Sequence, residues 1–365
     1  MSDSCVYATY RLQANPAQAH QRAEQLALEQ SIEMPLAAVM QERVRTQVVA
    51  RVEAVTEQPD GSHDARLALA SETIHDEPGQ LMNMLFGNCS LQPDVELVGL
   101  DLPASLARAL GGPNHGIEGL RARTGAQGRP LTCTAIKPIG ASAQTLAELC
   151  TRFVQAGIDV IKDDHGWANQ ASAPFAQRVH ACQRAVSEVQ GAHTLYAPSL
   201  YGHYGQMREQ LLLARASGVQ AVLIAPMVCG VATFVALKRE FNDVLFLAHP
   251  SLSGLRIAPD VLLGKLFRLF GADAVVFPNY GGRFAFPYDV CRRIATYNTQ
   301  PWHDLKPALP TPAGGMSVER VPDMLRDYGR DCMLLVGGGL LSAREQLLER
   351  SRAFVQSVKK MGASS

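Results

Sequence analysis

The sequence predicts an α/β protein in which a small N-terminal α+β domain precedes an eight-unit βα barrel. From Leu131 onward, short apolar runs alternate with amphipathic helical stretches at spacings of about 20 to 35 residues, the texture of repeated βα units. Eight such runs can be counted, the number that closes a barrel. The chemically unusual residues cluster where those runs end, as they do on a barrel's catalytic face. A doubly wound open sheet shares the first observation, because a strand count from periodicity can miss or add one; the clustering favours the barrel.

In chain order, Cys5 to Leu12 alternates as a strand does, and Ala17 to Glu29, rich in Ala, Gln, Glu and Leu, predicts a helix. Arg43 to Thr56 and Ala65 to Ser71 read as the strands of a hairpin around the turn chemistry of Gln58-Pro59-Asp60-Gly61. Gly79 to Gly87 predicts a short helix and Val95 to Leu102 another strand. Gly111 to Pro130 is rich in Gly and Pro, poor in apolar runs, and reads as the interdomain link. Barrel strands are expected at 131–137, 158–164, 193–198, 219–225, 244–249, 273–277, 308–313 and 332–336, with helices such as 142–156, 173–190, 205–217 and 259–270 between them.

The chain has 365 residues, 47% of them apolar, which supplies buried surface for one or two domains. Its 34 basic residues balance 34 acidic ones. That leaves no general electrostatic case for nucleic acid or an anionic membrane and points to a small-molecule partner. Eight cysteines are dispersed without a CxxC pair, which fits free thiols in a reducing cytoplasm. The stretch MSDSCVYATYRL lacks a basic, then apolar, leader, and no run approaches the roughly 20 apolar residues of a membrane span, so a cytoplasmic location is expected.

The motif with most chemistry is GIDVIKDDHG, residues 157–166. Ile158, Val160 and Ile161 read as a buried parallel strand that ends in Lys162, Asp163, Asp164 and His165, with alternate side chains turned to one pocket. A solvated strand-end salt bridge between Lys162 and Asp164 is the simpler alternative. If its amine is neutral, Lys162 can take up carbon dioxide as a carbamate, whose oxygens would join Asp164 and His165 around a divalent cation. Lys137, in TCTAIKPIG, is left at the mouth by Pro138, and a neighbouring ammonium or burial would favour its use in proton transfer; a surface lysine is the alternative. Gly314-Gly315 and Gly337-Gly338-Gly339 follow the last two strands, where barrels hold phosphate, although glycine pairs also make tight turns. His249, in FLAHPSLSG, reads as an acid, a base or a polar substrate ligand. His203 and Tyr280 to Arg283 read as mobile mouth loops carrying polar contacts.

In this order GPNHGI, CTAIKP, GIDVIKDDH, AGG and GGG resemble the ribulose-bisphosphate carboxylase/oxygenase superfamily, large-subunit type, over nearly the whole chain. The resemblance implies a ferredoxin-like N-terminal α+β domain, 1–125, followed by a (β/α)8 TIM barrel, 126–365. It implies at least a homodimer, with the active site shared between the barrel of one subunit and the N-terminal domain of its neighbour, which brings in Glu29 and Asn88. It also makes Lys137 the proton-moving lysine, Lys162 the carbamylated lysine, Asp164 a ligand of magnesium, and Gly315, Gly337 and Gly338 a phosphate site.

Departures from the family pattern indicate a RuBisCO-like protein, the form IV type, that does not fix carbon dioxide. His165 replaces a glutamate ligand, putting a neutral nitrogen where an anionic oxygen is expected. KPIG lacks the second lysine of KPKLG, Pro250 replaces an arginine, Val276 a histidine and Ala313 a serine, and FPNYGGRF lacks the lysine lid. These losses fall largely on one of two phosphate sites, so a monophosphate substrate is expected. The expected chemistry is a metal-stabilised enediolate on a phosphorylated keto-sugar or keto-sugar acid, with a lean toward decarboxylation of a 3-oxo sugar-acid phosphate. The alternatives are an enolase or isomerase of a 5-methylthioribulose-1-phosphate-type substrate and a catalytically inactive phosphate-binding protein.

Overall fold

The structure, a computed structural model, describes residues 4–254, 256–284 and 286–362, with side chains to Lys360; the first three residues of the N-terminal stretch lie outside it. Its first unit contains β1 (Cys5–Leu12), α1 (Ala19–Glu29), β2 (Arg51–Glu57), β3 (His63–Ala70), α2 (Pro78–Phe86), β4 (Val95–Asp101) and α3 (Ala104–Leu110). The strands form an antiparallel sheet in the order β2-β3-β1-β4. Alternation in β1 buries Val6, Ala8, Tyr10 and Leu12, in one core with Ala23, Leu26 and Ala27 of α1.

The predicted long strand from Arg43 is shorter than expected. Val44–Val48 forms one π-helical turn, and β2 begins at Arg51. None of those five residues is buried, so β-branched side chains there have no packed face to hold them in a sheet.

The expected link also differs. Within Gly111 to Pro130 lies α4 (Gly116–Thr124), whose Ile117 and Leu120 share one core with interior residues of the barrel strands and close its N-terminal end. Its first turn is capped from far away in sequence: Asp273 Oδ1 accepts the His115 and Gly116 amides at 2.8 and 2.7 Å, while Oδ2 accepts Phe246 N at 2.9 Å. The Arg121 guanidinium, also buried, donates to the carbonyls of Ala126, Arg129 and Arg330.

The remaining chain runs β5 (Leu131–Ile136), α5 (Ala143–Ala156), β6 (Val160–Asp163), α6 (Phe175–Ser187), β7 (Leu195–Ala197), α7 (Tyr204–Ala216), β8 (Ala221–Ile224), α8 (Pro226–Cys229), α9 (Val231–Glu240) and β9 (Leu245–Ala248). A π-helical stretch, Asp260–Leu266, leads into α10 (Phe267–Leu269). Then come β10 (Ala274–Pro278), α11 (Tyr288–Thr299), β11 (Leu309–Ala313), α12 (Val321–Tyr328), β12 (Met333–Leu335), α13 (Gly338–Leu341) and α14 (Leu347–Gly362).

The eight strands pair in parallel as two arcs, β12-β5-β6-β7 and β8-β9-β10-β11. Leu223 stitches the arcs together, donating to Pro198 O and accepting from Leu200 N, both at 2.9 Å. At the other seam Leu309 and Ala313 pack with Met333 and Leu335 in the interior. This is the expected TIM barrel. No helix among the described residues is long and apolar enough to cross a membrane.

Strand alternation divides the barrel into two cores. Leu131, Cys133, Val160, Ala197, Leu223, Leu247, Val276 and Leu335 fill the interior, while Ile136, Ile161, Tyr196, Phe246, Val275 and Leu334 face the helices. Asp163 belongs to the outer set. Its carboxylate is fully buried and accepts from Arg178 Nε at 3.0 Å, Tyr196 OH at 2.7 Å and Ser199 N at 3.0 Å. Arg178 donates in turn to the carbonyls of Ala173 and Ala168. Replacing it by leucine strands a buried carboxylate, so Arg178→Leu is expected to cost about 3–5 kcal/mol. Urea unfolding measures this; a midpoint equal to that of the parent would show that the pair does not hold the end of β6.

Candidate active site

Inward alternation carried past the strand ends brings Lys137 from β5, Lys162 and Asp164 from β6, and His249 from β9 to one mouth. Asp164 Oδ1 is the hub. It accepts from Lys137 Nζ at 2.9 Å and from the His165 amide at 3.0 Å, with His165 Nδ1 at 3.1 Å. The rings of His165 and His249 stack with centroids 4.5 Å apart and planes 4° from parallel. His249 Nδ1 lies 2.9 Å from Ser251 Oγ, and the Tyr201 hydroxyl donates to the His165 carbonyl. Lys162 is buried, with Nζ donating to Asp163 O at 2.9 Å. The strand-end salt bridge read from the sequence thus forms between Asp164 and Lys137 rather than Lys162.

Burial, reinforced by the charge of Lys137, lowers the Lys162 pKa, although Cys133 and Asp164 oppose the shift. The neighbouring Cys133 thiol is pushed up to about 12 by burial, so it stays protonated. Burial disfavours the Asp164 carboxylate, but hydrogen bonds from His165 and Lys137 and the charges of both lysines outweigh it and hold the group well below the usual carboxylate range. Burial first, then Lys162 and His165, lower His249 to about 2. The surroundings thus favour the neutral imidazole.

The glycine segments close the mouth on the β11 and β12 side. Gly315 has φ of 88°, and a Cβ there would lie 2.8 Å from Arg283 N, so only glycine fits. Among the described residues the amides of Gly315, Gly337 and Gly338 donate to no protein acceptor. Glu29 and Asn88 sit on the N-terminal unit and pair with one another, Asn88 Nδ2 donating to Glu29 Oε1 at 3.0 Å.

His203 lies on the connection between β7 and α7 as the N-cap of α7, in a reciprocal capping box with Gln206. The segment from Tyr280 to Arg283 is tied to α12 and β11 by hydrogen bonds of Tyr280 to Asp327 and of Arg283 N to Gly314 O. Sequence reading missed Arg178, Tyr196, Tyr201 and Ser251. The first three act across elements; Ser251, two residues after His249, was within reach of local inspection.

Among the described residues no three His, Cys, Asp or Glu side chains converge on one point. Asp164 and His165 offer one oxygen and one nitrogen, and with Nδ1 engaged by Asp164 the free donor of His165 is Nε2. Further oxygen donors have to come from Lys162, whose lowered pKa favours the neutral amine that a carbamate requires. The donor set therefore fits a divalent cation with Lys162 carbamylated.

The family description "Ribulose bisphosphate carboxylase large chain, catalytic domain" matches residues 116–283. The 5-methylthioribulose-1-phosphate isomerase of Rhodospirillum rubrum is 50% identical over 363 residues, 98% of this chain and 96% of its own. The 2,3-diketo-5-methylthiopentyl-1-phosphate enolase of Geobacillus thermodenitrificans is 32% identical over 286 residues, 75% of this chain and 69% of its own. The crystal structure of the Rubisco-like protein from Rhodopseudomonas palustris superimposes with a TM-score of 0.92 at 45% identity, covering 98% of both chains. A barrel with this mouth, matched so closely over almost its entire length, belongs to the ribulose bisphosphate carboxylase large-chain family, in its RuBisCO-like branch.

Proposed function

We propose that the protein isomerises a phosphorylated ketose of the 5-methylthioribulose-1-phosphate type through an enediolate. The observation that carries this reading is an amine, Lys137, held at the mouth by Asp164, beside Lys162, His165 and glycine amides without protein acceptors among the described residues. The relative that is 50% identical end to end favours isomerisation, the alternative in the sequence reading, over the decarboxylation toward which that reading leaned.

Isomerisation of a ketose removes a proton from the carbon beside the carbonyl and returns one to a neighbouring carbon. Lys137, with a third of its side chain exposed at the mouth, takes that proton as the neutral amine and returns one as the ammonium. His249, neutral and fixed by Ser251, hydrogen-bonds a substrate hydroxyl or carbonyl without changing charge. Gly315, Gly337 and Gly338 hold the phosphate by backbone amides. Lys162 as its carbamate, Asp164 and His165 would hold a magnesium ion, which would supply Lewis-acid polarisation of the substrate carbonyl. Glu29 and Asn88 complete the site from a second copy of the chain.

A panel of methylthio-sugar phosphates and 3-oxo sugar-acid phosphates, followed for isomer formation, solvent deuterium uptake and carbon dioxide release, separates the readings. Isomer formation with deuterium uptake and no gas is expected. Lys137→Ala should lower turnover about 10²–10⁴-fold. Gas release would restore the decarboxylase, and ligand binding without turnover of any member would favour an inactive phosphate binder.

Carbon dioxide adds only to the neutral amine, and Lys162 becomes neutral below the ordinary lysine range. At fixed dissolved carbon dioxide, magnesium affinity measured by calorimetry should therefore rise as pH increases through that lowered value and fall below it, and Lys162→Ala should abolish both affinity and pH dependence. Retention of affinity in the alanine variant would remove the carbamate.

A shared site has its own test. Lys137→Ala and Asn88→Ala proteins, each impaired alone, should regain activity when co-expressed, because a mixed dimer contains one intact site. Mixed dimers without any regain would place Asn88 outside it.

A further inference from the structure

On its β7 side, β6 is paired only as far as Lys162 opposite Ala197, and on its β5 side as far as Asp163 opposite Ile136. Asp164 and His165 therefore lie beyond the ladder on both sides, and no neighbouring strand fixes their backbone.

The connection from β7 to α7 takes over that task. Ser199 N donates to Asp163 Oδ2 at 3.0 Å, Ser199 Oγ donates to Asp164 O at 3.2 Å, and the Tyr201 hydroxyl donates to His165 O. Three successive residues at the end of β6 are thus held by two residues of one connection. That connection is itself anchored. Leu200 N donates to Leu223 O at 2.9 Å. The Gln210 carboxamide of α7 clamps the Tyr201 backbone, accepting from Tyr201 N at 3.2 Å and donating to Tyr201 O at 2.8 Å.

His165 has the greatest need of this support. Its side chain is 48% exposed, so packing alone does not immobilise it. Asp164 Oδ1 at Nδ1 and the parallel ring of His249 orient the imidazole, but both act only where the backbone places the root of the side chain. Nε2, the free donor, lies farther from Cα than Nδ1 does, so a small rotation of the backbone displaces it more.

We propose that Tyr201 is a positioning residue for His165, fixing the direction of Nε2 toward the cation by holding the His165 carbonyl. It acts through that carbonyl, not on substrate or cation. The proposal rests on the reading of Lys162, Asp164 and His165 as the cation-holding set.

The test titrates the parent, Tyr201→Phe, Gln210→Met and His165→Ala with manganese(II) in bicarbonate buffer. Pulsed electron paramagnetic resonance of the bound ion then detects the nitrogen of a coordinated imidazole. The parent should show that nitrogen and His165→Ala should lack it. Tyr201→Phe keeps the ring and removes one oxygen; it should bind manganese(II) about 10- to 100-fold more weakly, with the nitrogen coupling reduced or lost. Gln210→Met should shift both readouts in the same direction, and it carries the comparison should Tyr201→Phe fail to fold. Unchanged affinity and coupling would overturn the proposal and leave the cation set standing. Weaker binding with the coupling intact marks a general loosening and would overturn it too. A parent that binds manganese(II) without imidazole nitrogen would remove His165 from the cation set, and the role of Tyr201 with it.

Discussion

The candidate site depends on the buried pair of Asp163 and Arg178. A strand sends successive side chains to opposite faces, so within Lys162-Asp163-Asp164 the two outer residues must share a face and the middle one must take the other. An aspartate on the helix-facing side lies among Ile161, Tyr196 and Trp167, where an unpaired charge is intolerable. Arg178 from α6, Tyr196 from β7 and Ser199 N supply the donors that make it tolerable. Any slip of β6 by one residue would break all three bonds and turn Lys162 and Asp164 away from the mouth. The pair thus fixes register as well as charge, linking packing outside the barrel to chemistry inside it.

Inside the barrel the same alternation forces a lysine into an apolar wall. Lys162 has Ala135 and Ala197 beside it on the paired strands and no carboxylate bonded to its amine; its only hydrogen bond among the described residues is to the Asp163 carbonyl. An ammonium in that position is costly, and the neutral amine is the form the surroundings favour. Asp164 behaves oppositely, because Lys137 and His165 surround it and keep it ionised. Two neighbours on one strand face are therefore pushed in opposite senses, the lysine toward its neutral form and the carboxyl toward its ionised form. That separation is what the carbamate and metal site proposed above would need.

Much of this was legible in the sequence because it follows from period and position. The eight barrel strands were apparent as apolar runs, and Lys137, Lys162, Asp164 and His249 were recognisable as strand-end residues with inward parity. What escaped depends on contacts distant in sequence. Helix α4 was hidden in a glycine- and proline-rich stretch because its cap, Asp273, comes some 157 residues later. The turn at Val44–Val48 was read as strand because its β-branched residues carry the local signal, while the absence of a buried face is a property of the folded chain. A salt bridge between Lys162 and Asp164 was the simpler alternative in the sequence; the carboxylate instead meets Lys137 from the adjacent strand, a partner that only the pairing of β5 with β6 brings near.

The tied segment after β10 bears on the chemistry proposed for this mouth. An enzyme that adds a gas to an enediolate must hold the intermediate away from water and protons until the second substrate arrives, which suits a lid that closes. Isomerisation needs the opposite: the enediolate must be protonated again, and quickly. Hydrogen bonds to Asp327, Tyr328 and Gly314 hold the loop at the mouth, an arrangement that would suit the isomerisation proposed above. Under the proposed function, the glycines on the β11 and β12 side would hold the one phosphate, the residues expected of a second phosphate site being replaced in the sequence.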